Sequence, residues 1–257
     1  MNRIIDDYTD YINHRFIATF GFDSNTKYQC PYCRSGKLIC IKDGMLIEET
    51  PESQQERYDD CWEPEWVRYV FCGALVCNDC SKKTFCTGTG KLEFRPYCGP
   101  DEDAPESIND CYEIELTPSY FEPPIPIFAL PSKCPEEIKN EVQHAFKLAF
   151  SDFSASGNRV RTCLELYIQH LNPSATGKLH DRIESIKNFE PTAYELIMAI
   201  KWLGNQGSHE STLQEYDLAF ALEALEFCLN KTFNSDEGKL RKLAVLINSN
   251  KGSIAKT

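Results

Sequence analysis

Cys30-Pro31-Tyr32-Cys33 and Cys77-Asn78-Asp79-Cys80 are the two stretches that decide how the first half of this chain folds. Each Cys-x-x-Cys spacing puts two thiols at the tip of one tight turn. Two such tips brought face to face present four soft sulfur donors in the tetrahedral arrangement that Zn²⁺ favours. Four thiolates leave no coordination position for a water or a substrate, so the expected ion is one structural Zn²⁺ held by Cys30, Cys33, Cys77 and Cys80. Strand-like sequence flanks both turns. Tyr28-Gln29 leads into the first, Lys37–Lys42 (KLICIK) alternates after it, and Trp66–Cys72 (WVRYVFC) leads toward the second. Gly36 is expected to supply the positive φ of the first turn. Arg34, Lys37, Lys82 and Lys83 would offset the negative charge of the thiolates.

The other cysteines are weaker candidates. Cys72 is the main rival ligand, being close in sequence to the second pair. Cys40, Cys61, Cys86, Cys98 and Cys111 have no partner at ligand spacing and read as core thiols. A redox role for either pair would require a thioredoxin-like βαβ setting, which the flanking sequence lacks.

Composition limits the classes further. The chain has 257 residues, 42% of them hydrophobic, enough for two domains with cores of their own. No apolar run reaches the roughly 18 residues that a membrane helix needs, so no membrane association is expected. The first residues lack the basic start and apolar stretch of an export signal. With that, thirteen cysteines, an odd number, suit a reducing cytoplasm. The net charge is −12, and residues 1–126 hold 23 acidic against 12 basic side chains. An acidic surface repels a phosphate backbone, so nucleic acid is not favoured as a partner.

The expected fold class is α+β in two domains. Residues 1–117 form a β-rich, zinc-ribbon-like domain, preceded by a short amphipathic helix carrying Ile4, Ile5, Tyr8, Ile12 and Phe16. An acidic inserted loop or hairpin occupies 43–65. Thr84–Cys86, Leu92–Pro96 and Tyr112–Leu116 are further strands. Residues 118–134 are a proline-rich, acidic linker, because proline fixes φ and blocks helix. Residues 135–235 form an all-helical bundle, with Pro135-Glu136-Glu137 opening its first helix and Ile138, Val142, Ala145 and Phe146 along one stripe. Further helices are expected over 156–171, 178–189, 191–204 and 212–232, and residues 236–257 add a helical tail built on Leu240, Leu243, Ala244 and Ile247. Gly204 is expected to end the helix that begins at 191.

A second constellation lies in the helical half. Arg161 and Glu165 are four apart on one helical face. Asn205 and His209 follow in Leu203-Gly204-Asn205-Gln206-Gly207-Ser208-His209. These four polar side chains among apolar helices form either a structural hydrogen-bond network or a site, and the network is the commoner use of such residues.

The segment Ile125–Phe233 resembles the domain-of-unknown-function 4145 family. The resemblance rests on the proline-rich lead-in ending Leu130-Pro131, on Arg161-Thr162-Cys163-Leu164-Glu165, on Leu179-His180-Asp181-Arg182-Ile183, and on Gly204-Asn205 with His209. Cysteine knuckles ahead of such a domain agree with that family. The family in turn resembles the HEPN superfamily (higher eukaryotes and prokaryotes nucleotide-binding), whose ribonucleases use an Arg-Asn-x-x-x-His motif at a dimer interface. The resemblance implies a HEPN-like bundle and a bacterial protein of a restriction or antiphage setting. It also implies pairing with a protein partner, or as a homodimer, through the helical domain. Asn205 and His209 match the nuclease motif, but Gly204 stands where its arginine belongs. Glycine offers no charge and no donor fork for a phosphorane. The expectation is thus a non-catalytic interaction or regulatory protein. Its alternative is a metal-independent ribonuclease or nucleotide-binding domain, with His209 as acid/base and Asn205 and Arg161 in support.

Overall fold

A computed structural model describes residues 19–22, 24–95, 111–209, 213–234 and 244–249. Five strands follow one another as an antiparallel meander: β1 (Ser24–Gln29), β2 (Lys37–Glu49), β3 (Arg68–Cys77), β4 (Lys83–Phe94) and β5 (Tyr112–Glu122). Alternation sets the faces. Leu38 and Cys40 on β2, Phe71, Leu75 and Cys77 on β3, and Thr84 and Cys86 on β4 are buried, and most of their neighbours face outward. Thr84–Cys86 and the Leu92–Phe94 part of Leu92–Pro96, expected as two strands, belong to one, β4; Pro96 lies outside the described residues. The sheet curls enough for Phe20, just ahead of β1, to bridge Leu116 on β5, through Phe20 N–H to Leu116 O at 3.0 Å and Leu116 N–H to Phe20 O at 2.9 Å.

The segment 43–65 is the far end of the β2–β3 hairpin, and only part of it is loop. Its first residues complete β2, which runs to Glu49. Pro51–Glu56 then forms a short helix, α1, whose cap Thr50 accepts from the Ser53 N–H. The Glu49 carboxylate anchors this helix by accepting from Arg57 Nη2 at 2.7 Å and from Ser53 Oγ at 2.8 Å. Ser53 Oγ accepts in turn from the Arg68 N–H at 3.1 Å, which joins α1 to the start of β3.

The proline-rich stretch also departs from a tether. Its first residues, through Glu122, lie in β5, where Pro118 faces Gly88 at a register shift. An outer strand and a bulge are where a sheet tolerates proline. A Cβ on Gly88 would collide with the Thr117 carbonyl, so the close approach requires glycine there. Beyond it, Ile125, Phe128 and Cys134 are buried in the same apolar cluster as the sheet and the helices. Proline brings no N–H to satisfy, which lets an irregular strap lie against a core at lower cost in unpaired donors.

The helices are α2 (Glu136–Leu148), α3 (Phe153–Leu171), α4 (Leu179–Glu184), α5 (Pro191–His209) and α6 (Glu215–Phe233), and 244–249 is also helical. α2 buries the expected stripe of Ile138, Val142, Ala145 and Phe146. α3 starts at Phe153, earlier than expected, because Asp152 caps it by accepting from the Ala155 N–H at 2.8 Å. Gly204 does not end α5, which continues to His209. A glycine inside a helix costs about 1 kcal/mol relative to alanine, a weak penalty that neighbouring structure readily overrides. An aromatic trio joins the two halves: Tyr28 of β1 and Phe121 of β5 lie 5.0 Å apart between ring centres, and Phe150, just past α2, lies 5.8 and 5.0 Å from them. The amphipathic segment expected over residues 4–16 lies outside the described residues. No helix among the described residues is long and apolar enough to cross a membrane.

Candidate metal centre

Chain order brings the two cysteine pairs together. The first pair occupies the β1–β2 turn and the second the β3–β4 turn. β2 and β3 are neighbours paired at Leu38 with Cys77, so the two turns project from the same end of the sheet, side by side. The Sγ atoms of Cys30, Cys33, Cys77 and Cys80 all lie within 4.8 Å of one another. Cys30 and Cys80 are 3.7 Å apart at sulfur, Cys33 and Cys77 3.6 Å. These separations far exceed the ~2.05 Å of a disulfide. A tetrahedron with metal–sulfur bonds of about 2.3 Å has an edge of roughly 3.8 Å, so the four thiols fit a tetrahedral ion. Cys72 is not among them. It sits on β3 opposite Leu46 and Thr87, exposed, and the rival-ligand reading is set aside.

The two turns are built alike. Arg34 N–H donates to Cys30 O at 3.0 Å, and Ser81 N–H donates to Cys77 O at 3.1 Å. The residue after each second cysteine is left-handed: Arg34 has φ 59° and Ser81 φ 58°. The conformation expected of Gly36 thus falls on Arg34. Gly36 serves a different need, since a Cβ there would lie 2.5 Å from the Cys77 sulfur and 2.7 Å from Asp79 Cβ. Glycine at 36 is what allows the second turn to close over the first.

Backbone donors surround the sulfurs, as thiolates require. Gly36 N–H points at Cys33 Sγ, while the Asp79 and Cys80 N–H groups point at Cys77 Sγ, each at 3.4 Å. Ser35 Oγ donates to Asp79 Oδ2. Asn78 clasps Lys37 from both sides, its Oδ1 accepting from Lys37 N–H at 2.9 Å and its own N–H donating to Lys37 O at 3.0 Å. Lys82 Nζ rests 4.9 Å from the centre of the Tyr32 ring. The thiol of Cys33 is held down to about 6, first by its hydrogen bond with Ser35 and then by the Gly36 and Ser35 backbones. Cys80 is pushed up to about 11: the Lys82 backbone opposes the rise, and burial and the crowding of Cys77, Cys30 and Cys33 outweigh it. Several thiols so close cannot all ionise without a cation between them.

Of the remaining described cysteines, Cys40, Cys86, Cys134, Cys163 and Cys228 are buried. Burial pushes Cys86 and Cys228 up to about 12 and Cys134 to about 11. Cys40 is buried with them, whereas Cys61 is exposed and Cys111 half-buried, so neither of these is a core thiol. Cys98 lies outside the described residues.

In the helical half, Arg161 Nε lies 3.7 Å from Glu165 Oε1, an ion pair across one helical turn with both side chains part-exposed. Arg182 Nη2 adds a bond to the Glu165 carbonyl at 2.8 Å and one to Gln169 Oε1 at 3.1 Å. Asn205 and His209 stand one turn apart on α5, and their side chains lie outside what is described. Asn78, Asp79 and Ser35 are the site residues that sequence reasoning missed. Their polar character between and beside the cysteines was the available signal.

Residues 18–121 match the family model described as Domain of unknown function (DUF8608), and residues 143–249 match that described as Domain of unknown function (DUF4145). The second match agrees with the resemblance drawn from Arg161, Glu165, Asn205 and His209. No curated protein and no solved structure matches the chain.

Proposed function

We propose that this is a non-catalytic interaction or regulatory protein, its sheet half a zinc-ribbon-like module locked by one structural Zn²⁺. Cys30, Cys33, Cys77 and Cys80 would hold the ion, and the supporting observation is the four-sulfur cluster at tetrahedral spacing. Such an ion is closed to substrate and contributes to folding. The helical half is taken as a HEPN-like bundle that pairs with a protein partner or a second copy. The bacterial cytoplasm and a restriction or antiphage setting rest on resemblance alone. Against a nuclease stand Gly204 in the place of the motif arginine and the pairing of Arg161 with Glu165.

The test has two parts. Elemental analysis of purified protein is expected to find one zinc per chain. Metal-loaded protein in magnesium-free buffer is expected to leave RNA uncut, wild type and His209→Ala alike. Cleavage by the wild type that disappears in His209→Ala would overturn the non-catalytic reading in favour of a ribonuclease using His209, Asn205 and Arg161.

A further inference from the structure

Beside the first cysteine turn lies a cavity of about 230 Å³ whose walls come from three separate stretches of chain. Tyr32 and Arg34 belong to the turn itself, Pro124 and Phe128 to the proline-rich strap, and Gln143 and Phe146 to α2. The floor is apolar: Phe128 and Phe146 pack edge to face with ring centres 4.9 Å apart. Three polar side chains stand at its walls, and each can donate. Arg34 is a cation with five donors, and the Tyr32 hydroxyl and the Gln143 amide can each donate. Among the described residues, none of these three side chains makes a hydrogen bond or an ion pair. Lys82, stacked on the Tyr32 ring, adds positive charge. Among the described residues no carboxylate lines the cavity, although the chain carries a net charge of −12.

Donors and a cation over an apolar floor call for a ligand with a carboxylate at one end of a bulky hydrocarbon group. The neighbouring surface decides between a small acid and a chain. A second groove, of about 600 Å³, shares Pro126 and Phe128 with the cavity and is lined by every residue from Asn25 to Gln29, the main length of the outermost strand β1. A small acid would fill the cavity and leave this groove unused. A polypeptide ending in the cavity would continue along it.

We propose that the cavity beside the cysteine turn receives the free C-terminus of a partner polypeptide. Arg34 takes the terminal carboxylate, and the last side chain, a bulky apolar one, sits on Phe128 and Phe146. The preceding residues lie extended beside β1. This rests on the reading of the protein as an interaction module and names the chemistry of its partner. It also makes recognition depend on the metal, because the left-handed backbone that aims Arg34 is part of the Cys30–Cys33 turn.

The experiment uses the full-length, metal-loaded protein and three probes. The first is a fluorescein-labelled hexapeptide, Gly-Ser-Ala-Thr-Ala-Leu, with a free C-terminal carboxylate. The second is the same peptide amidated. The third is 4-methylpentanoate, which has the branched alkyl group and the carboxylate but no backbone, and is tested by displacement. The free acid is expected to bind at least tenfold more tightly than the amide and than 4-methylpentanoate. Arg34→Gln should erase the preference for acid over amide with metal content unchanged, and Arg34→Lys should keep part of it. Equal binding of acid and amide, a preference that survives Arg34→Gln, or no binding at millimolar peptide would overturn the proposal. So would 4-methylpentanoate binding as tightly as the peptide, which would make the cavity a metabolite site. Metal content is measured on each sample, so the two readings fail separately. A metal-free protein that still prefers the acid sinks the zinc reading and the dependence of recognition on metal, but not the peptide site, whereas a zinc-loaded protein with no preference sinks the peptide reading alone.

Discussion

The sheet half and the helical half are held together by different means. Of the twelve largest fully buried side chains among the described residues, only Leu38, Leu75 and Leu116 lie on strands, and the others lie in or beside the helices. A curled sheet of five strands with so few large buried residues has little apolar burial to set against the entropy of ordering its chain. The four-sulfur cluster ties the sheet at its cysteine turns, the end where Leu38, Leu75 and Thr84 are buried, while the far ends of β2 and β4 are mostly exposed. The helical half needs no such device. Leu164, Tyr167 and Ile168 on α3, Ile183 and Ile186 at α4, and Leu218 and Leu222 on α6 form a continuous buried mass. On the zinc reading, stability is concentrated at one point in the first half and spread over many contacts in the second.

The largest effect should come from attacking that point. Removing the ion with a strong chelator, or replacing Cys77 with Ser, is expected to unfold the sheet, since structural zinc sites contribute apparent binding free energies of roughly 10–16 kcal/mol. Far-ultraviolet circular dichroism should retain most of its helical signal while proteolysis opens residues 24–94. A thermal transition unmoved by metal removal would erase the contrast between the halves.

Leu164→Ala should do the reverse. Truncating a fully buried leucine in a packed core costs about 2–5 kcal/mol. Urea denaturation should report that loss while zinc per chain stays at the wild-type value. If the metal were lost as well, the two halves would have to be treated as one cooperative unit.

The smallest effect concerns the sheet's α1 anchor. Its hydrogen bond with Arg57 holds the Glu49 carboxyl below the usual 4.5, with Ser53 and the charge of Arg57 in support and partial burial opposing. A depressed acid contributes stability that is full above about pH 4.5 and is lost as pH falls through the folded value. Because Arg57 is 45% exposed, solvent screening limits the pair to about 1 kcal/mol or less. Glu49→Gln should therefore lower stability slightly at pH 7, and the gap from wild type should close on acidification below that range, as read by urea midpoints across pH.

The sequence disclosed what is repeated or periodic. Two equal cysteine spacings located the clasp, alternation located β2 and β3, and the stripe from Ile138 to Phe146 located α2. It concealed what depends on neighbours distant in the chain. Pro118 and Ile125 read as linker because proline disfavours regular structure, yet an outer strand and a buried strap both accept it. Gly204 reads as a helix terminator because glycine ends many helices, but α5 continues through it. Gly36 shows the same limit at the site. Its presence could be read as a need for unusual φ, whereas its role is to leave room for a sulfur 41 positions away in sequence.

The bridge between Phe20 and Leu116 bears on the order in which the molecule is made. All four thiols precede residue 81, whereas the strand that completes the sheet spans Tyr112–Glu122. A chain leaving the ribosome thus presents the whole clasp before it can close the sheet around it. The clasp joins hairpins whose strands are already neighbours, and its closure does not wait on β5. On the zinc reading, metal capture can therefore precede the docking of α2 to α6, all encoded after the cysteine turns.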